Sequence, residues 1–238
     1  MLLPEYYPEA VIWDLDGTLI DSAPDLARAL NTLLNERGHL GHPVADVRPM
    51  IGGGVARLIE RGFRFAGAPL DDRARDLLLP RFMEIYSACC TQSTTLIEHA
   101  REALEHFYHA GVRQGLCTNK PQRVTRQILN SLDIIGYFDS IIGGDSTNHR
   151  KPHPLPLLRC LEELEAHREQ AIMIGDSGAD VGAAKAAGLA VILVPDGYTG
   201  EPAVSLGADL VLNDLSEVCH IRGKFQARSA QTPCRVEF

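Results

Sequence analysis

Four short polar clusters stand out for the chemistry they could do together. The first is Asp14-Leu15-Asp16-Gly17-Thr18, two carboxylates separated by one residue beside a glycine turn. Side chains two positions apart on an extended segment point the same way, so both acids can face one pocket. The second is Thr118-Asn119-Lys120, and the third is Lys151 within Arg150-Lys151-Pro152-His153-Pro154. The fourth is Gly175-Asp176-Ser177-Gly178-Ala179-Asp180. Carboxylates gathered in one crevice would repel one another unless a cation sat among them. The set is all oxygen, with no cysteine and no clustered histidine, which points to magnesium rather than zinc. Magnesium takes few carboxylates together with water and substrate phosphate, and Asp14, Asp16 and Asp176 with a phosphate oxygen meet that description.

Each cluster also has an ordinary reading. Asp-Gly is a common solvated turn, Thr118 and Asn119 could simply cap a following helix, and Lys151 could be a plain loop lysine. What lifts them above that reading is where they fall. The run Ala10-Val11-Ile12-Trp13 is short, apolar and without helical period, so it reads as a buried strand that ends at Asp14. Val112–Cys117, Phe138–Ile142, Ala171–Ile174, Ala190–Val194 and Asp209–Leu212 read as further strands with helices between them, among them Pro121 to about Leu132, with proline in its first turn. That alternation predicts an α/β fold, a mainly parallel sheet with helices on both faces. Such sheets bind ligands at the carboxyl ends of their strands, near a topological switch point. Asp180 falls near the start of the helix running through Ala183–Ala187, where the dipole favours a carboxylate.

Between the first and second strands the pattern changes. Leu26, Ala29, Leu30, Leu33 and Leu34 fall at helical spacing with Gly38 as a stop, Val55, Leu58, Ile59 and Phe63 mark a second helix, and Leu77 to Tyr86 a third. This predicts an all-helical insert. Ile97, Ala100, Ala103, Leu104 and Phe107 then form one helix face, beside which His99, His106 and His109 read as solvated surface. Ile221 to Phe238 has no period and reads as a loose tail or edge segment.

Composition bounds the partners. Lys and Arg number 23 against 31 Asp and Glu, a net charge of −8, which argues against a nucleic-acid surface. No apolar run is long enough for a membrane span. Met1 to Pro8 carries no basic lead or apolar signal core, so a cytoplasmic protein is expected. The six cysteines contain no C-x-x-C pair and read as reduced thiols.

Asp-x-Asp-Gly-Thr after a strand, then Thr-Asn, Lys-Pro and Gly-Asp-Ser-x-x-Asp in that order, resembles the haloacid dehalogenase superfamily. The stretches Trp13 to Leu26, Thr118-Asn119-Lys120-Pro121 and Lys151-Pro152-His153-Pro154 are similar to its phosphoglycolate phosphatase-like branch. The likeness covers about residues 8 to 215. It implies a Rossmann-like core over 1–20 and 91–220, a helical cap over 21–90 and a tail over 221–238. It implies Mg2+ as cofactor, held by Asp14, Asp16, Asp176 and Asp180, the last directly or through water. By the same resemblance Asp14 would attack phosphorus, and Asp16 would serve as acid and then base. Thr18 would hold Asp16 by a hydrogen bond. Thr118 and the amide of Asn119 would grip phosphate oxygens, and Lys151 would place a positive charge between Asp14 and the phosphate. Asp21 to Asp25 and Cys89 to Thr95 would be the hinges of the cap. The run Ile51-Gly52-Gly53-Gly54 would be its specificity loop, whose free amides could meet an anionic group. Arg48 and Arg57 flank that loop and could bind a carboxylate, while Lys120 stands between the helix start and the pocket edge.

The expected partner is a small phosphorylated metabolite, with 2-phosphoglycolate as the leading substrate and the protein a monomer or homodimer. Sugar phosphates, pyrophosphate and a mutase reaction are the competitors. A dehalogenase would not need Asp16. A phosphonate hydrolase of this superfamily recruits a cap lysine, and residues 22–90 contain no lysine. A phospho-accepting signalling module would lack both the Asp-x-Asp-Gly-Thr turn and the helical insert.

Overall fold

Apolar side chains alternate across the first strand, β1 (Ala10–Trp13), because both of its faces are covered. Val11 and Trp13 enter one hydrophobic cluster, Ala10 and Ile12 the other. A computed structural model describes residues 7–195, 197–198 and 200–221 of the chain. After β1 come β2 (Ile20–Asp21), α1 (Ala23–Glu36), α2 (Val44–Val47), α3 (Val55–Phe65) and α4 (Asp72–Cys89). The chain returns through β3 (Thr95–Leu96) into α5 (Ala100–His109), β4 (Arg113–Cys117), α6 (Gln122–Ser131) and β5 (Ser140–Ile142). It closes with α7 (Leu155–Glu163), β6 (Ala171–Gly175), α8 (Gly178–Ala187), β7 (Ala190–Leu193) and β8 (Leu210–Val211).

Six strands form one parallel sheet in the order β5-β4-β1-β6-β7-β8. The chain moves outward from β1 to β4 and β5 on one side and to β6, β7 and β8 on the other, so β1 marks the switch point. Register carries this to atomic detail: Trp13 pairs with both Leu116 and Ile174, which brings the residues following β1, β4 and β6 out at one level.

The helical segment α1–α4 shares the cluster of Val11 and Trp13 through Leu30, Leu33, Phe63 and Phe82. Its α4 runs longer than the apolar pattern from Leu77 implied, because Asp71 caps it by accepting the Ala74 N–H at 2.7 Å. Where the chain leaves and re-enters the sheet, β2 and β3 pair antiparallel. Neither was expected, since two residues are too few for a period to register. The helix expected from Ile97 starts only at Ala100, after His99 takes a left-handed conformation (φ 63°). Pro121 precedes α6 instead of sitting in its first turn. His106 departs from the solvated reading. It packs against Tyr7 and Phe107, and burial, with His220 adding to it, holds its imidazole below the ordinary value. Cys89, Cys90, Cys117, Cys160 and Cys219 are free thiols, and among the described residues no helix is long and apolar enough to cross a membrane. The tail beyond 221 lies outside the described residues.

The two connections between helical segment and sheet are tied to each other by Asp25. Its buried carboxylate accepts the Ser93 and Thr94 N–H groups at 2.9 Å, the Thr94 hydroxyl at 2.9 Å and the Arg28 guanidinium at 3.2 Å. Removing it orphans two backbone donors and a hydroxyl. We expect Asp25→Ala to lower unfolding free energy by about 2–3 kcal/mol, read as a lower urea midpoint at unchanged slope. An unchanged midpoint would show that these connections do not depend on the carboxylate.

Candidate active site

Asp14 follows β1 directly, with its N–H bonded to the Ile174 carbonyl at 2.8 Å, so the sheet itself sets its position. It is 7% exposed. Lys151, reaching in from the loop after β5, places Nζ 2.6 Å from Asp14 Oδ1, 2.6 Å from Asp180 Oδ1 and 2.6 Å from the Cys117 carbonyl. All three donors of this ammonium are thus used. Asp180 is fixed from its other side, where Oδ2 accepts the Ser177 N–H at 3.0 Å and the Ser177 hydroxyl at 2.6 Å at the start of α8. Asp176 follows β6, and its Oδ2 accepts the Tyr198 N–H at 2.7 Å. Two glycines let the backbone close around that carboxylate: a Cβ at Gly17 (φ +89°) or at Gly197 would collide with it.

Asp14, Asp176 and Asp180 each offer an oxygen within 4.8 Å of the others, and all three are buried. One ammonium faces three carboxylates, so the cluster is short of positive charge. Burial first, then Asp180 and Asp16, lift the Asp14 carboxyl to about 7 against the pull of Lys151. Burial first, then Asp14 and Asp180, hold Asp176 well above the usual carboxylate range. Burial alone would lower the Lys151 ammonium, but Asp14 and Asp180 outweigh it and raise it. An all-oxygen, electron-rich trio with too few counter-charges fits a divalent metal.

Asp16 faces elsewhere. Its Oδ1 lies 2.8 Å from Lys120 Nζ and 2.5 Å from Ser22 Oγ, and it is not part of the close trio. Thr18 does not hold it. The backbone curls so that the Leu15 carbonyl receives the N–H groups of Thr18, Leu19 and Ile20, which buries Thr18 behind the turn with Oγ1 unpartnered among the described residues. Ser22, just before α1, supplies the hydroxyl instead. Thr18, also a candidate substrate-binding residue, does not line the cavity either.

A cavity of about 40 Å³ lies over these groups. Its polar wall is Asp14, Asp16, Thr118, Asn119, Lys120, Lys151 and Asp176, and its apolar wall is Leu26, Ile51, Val55 and Leu58 with Tyr86. Asn119 Nδ2 donates to the Gly52 carbonyl at 3.1 Å and the Lys151 carbonyl at 3.0 Å, and its Oδ1 is buried without a partner among the described residues. Thr118 Oγ1 accepts the Lys120 N–H at 3.2 Å. Gly52 and Gly54 line the cavity, whereas Gly53 lies against the Arg57 side chain and does not. Arg57 is exposed as well. Arg48 is held by Asp21 at 2.8 Å, with its guanidinium over the Tyr198 ring.

Three contributors went unread in the sequence. Tyr86 sits at the spacing Leu78, Phe82, Tyr86, which reads as core, yet its hydroxyl accepts from Lys120 Nζ at 2.7 Å. Ser22 looked only like a residue ahead of a helix. Tyr198 lies after β7, a fifth strand end, and the rule that polar chemistry gathers at carboxyl ends could have flagged it.

Residues 11–194 match the family model of the haloacid dehalogenase-like hydrolases, and the chain belongs to that family. It is 38% identical over 215 residues to the phosphoglycolate phosphatase of Rhodospirillum rubrum, covering 89% of each chain. It is 37% identical over 208 residues to that of Caulobacter vibrioides, covering 87% of this chain and 88% of the other. The crystal structure of a predicted phosphoglycolate phosphatase from Haemophilus somnus superposes with a TM-score of 0.81 at 27% identity, covering 89% of this chain and 96% of the other. The chain is accordingly an enzyme of the hydrolase class, phosphoglycolate phosphatase-like in sequence and fold.

The raised Asp14 carboxyl gives a signed pH dependence. With no cation bound, its folded value of about 7 exceeds its ordinary 3.8, so the folded chain keeps a proton that the unfolded chain has lost. Stability from this group is complete below about pH 4 and falls as pH rises through 7. A divalent cation competes with that proton. We expect the cation-induced rise in thermal midpoint, measured against EDTA, to grow from pH 5 to pH 8. An increment that is flat or shrinks over that range would remove the trio as the cation site.

Proposed function

We propose that this chain is a magnesium-dependent phosphatase that hydrolyses 2-phosphoglycolate through an aspartyl-phosphate on Asp14. The observation that carries the reading is the pairing of each acid of the Asp-x-Asp turn with its own lysine inside one small cavity. The relatives named phosphoglycolate phosphatase support the choice of substrate.

In this reading residues 1–20 and 91–220 form the catalytic core and 21–90 the cap, hinged at 21–25 and 89–95. Asp14 Oδ attacks phosphorus, and the bond to the ester oxygen breaks. Two unit charges 4 Å apart interact by about 4 kcal/mol at an effective dielectric constant of 20, so a carboxylate approaching a phosphate dianion needs local positive charge. Lys151 supplies one such charge at the attacking carboxylate. Magnesium, held by Asp14, Asp176, Asp180 and the backbone of Asp16, would supply the rest at the phosphate oxygens. Thr118 and the Asn119 amide bind non-bridging oxygens, where charge must be held during transfer. Asp16 gives its proton to the departing alkoxide and later takes one from the water that cleaves the acyl phosphate. The apolar wall keeps bulk water away, and Gly52 and Gly54 bring the cap loop against the core.

Two outcomes follow. Asp14→Asn keeps the fold, by circular dichroism, and loses at least about 10³-fold in kcat, since the covalent route is gone. Near-normal turnover in that variant would end the nucleophile assignment. In a panel of phosphate esters assayed with magnesium, 2-phosphoglycolate has the highest kcat/KM. A sugar phosphate or pyrophosphate at the top would replace the substrate and leave the chemistry standing.

A further inference from the structure

We propose that Lys120 is the specificity-determining residue of this site, its ammonium receiving a substrate carboxylate one carbon beyond the leaving oxygen. The inference rests on the reading above, in which Asp16 protonates that oxygen, and deepens it.

Lys120 is 5% exposed and lines the cavity. Its Nζ lies 2.8 Å from Asp16 Oδ1 and 2.7 Å from the Tyr86 hydroxyl, 4.9 Å from the centre of that ring. An ammonium carries three N–H donors. One is given to the Tyr86 hydroxyl, and beyond that bond and the ion pair with Asp16 the ammonium has no further side-chain partner among the described residues.

Two other cations near the site are committed elsewhere, and Arg150, whose guanidinium lies against Gly54 and donates Nε–H to the Gly144 carbonyl, does not line the cavity. Lys151 spends its donors on Asp14, Asp180 and the Cys117 carbonyl. Arg48 is bound to Asp21 above Tyr198. Among the described residues, Lys120 and Lys151 are the two cations on the cavity wall. The wall opposite is apolar and can pack a methylene but cannot pair a charge.

Distance selects the substrate class. The leaving oxygen must come within hydrogen-bond reach of Asp16, and Lys120 Nζ lies 2.8 Å from that same carboxylate in an ion pair. A carboxylate attached one carbon from the ester oxygen meets both groups at once. In a cavity shielded from water, a charge-assisted bond of this kind is strong and direction-specific. An ester with a neutral tail has no such partner to offer.

The test compares the full-length wild type with Lys120→Gln and Lys120→Arg, with magnesium, on 2-phosphoglycolate and on ethyl phosphate. Loss of the Asp16 contact affects both esters and cancels in their ratio. We expect Lys120→Gln to lose about 10–100-fold more kcat/KM on phosphoglycolate than on ethyl phosphate, mostly through KM, and Lys120→Arg to keep most of the preference. If Lys120→Gln lowers both esters equally, the residue serves Asp16 alone and the inference fails while the substrate reading stands. If the wild type does not prefer phosphoglycolate over ethyl phosphate, both fail. A measurement on the wild type alone decides the matter should the variants not fold. Aminoethyl phosphate, with an ammonium where the carboxylate would be, ranks below ethyl phosphate. A rank equal or higher overturns the inference.

Discussion

Burying Lys151 among acids at the end of β1 is the arrangement on which the rest of the site depends. Charges taken out of water must be compensated where they sit, because the interior cannot reorganise around them as water does. Three carboxylates and one ammonium leave a formal charge of −2 when all are ionised. That deficit equals one divalent cation. Without the cation the site compensates by protonation, which is what the raised Asp14 and Asp176 carboxyls express. The same residues can therefore exist folded in either condition.

The two acids of the Asp-x-Asp turn are separated electrostatically although they are only two residues apart. Asp14 belongs to Lys151 from the loop after β5, while Asp16 belongs to Lys120 from the loop after β4. The nucleophile and proton shuttle proposed for them need different surroundings, and loops after different strands deliver those surroundings. Tyr86 adds a link that a core alone could not provide, since it comes from α4 of the helical segment. In the proposed reading, phosphate chemistry sits on the sheet side of the cavity, and the means of telling substrates apart sits where the two sides meet.

Much of this was legible because it follows from periodicity. Short runs buried on both faces read as strands, and the residues that end them, Asp14, Thr118 and Asp176, were recovered by the rule for parallel sheets alone. Other features leave no period. The pair Ile20–Asp21 and Thr95–Leu96 exists only because two distant segments meet. Thr18 and Ser22 are both hydroxyls near Asp16, and only the course of the backbone around the Leu15 carbonyl decides between them. Tyr86 carries its polar atom at the tip of an otherwise apolar side chain, so a pattern of burial registers the ring and misses the hydroxyl.

Tyr198 shows how far such an unread residue can matter. Its backbone N–H holds Asp176, while its hydroxyl accepts the N–H groups of Ser22 at 2.7 Å and Ala23 at 3.0 Å and donates to Asp21 at 2.7 Å. The first turn of α1 and the third acid of the site are thus fastened to one rigid side chain and its own peptide. Any displacement of α1 relative to the sheet must break those bonds or pull on Asp176 through them. A close approach at Gly17 and Gly197 leaves that carboxylate little slack. Alignment of the acids and placement of the helical segment are therefore one geometric condition, met or lost together.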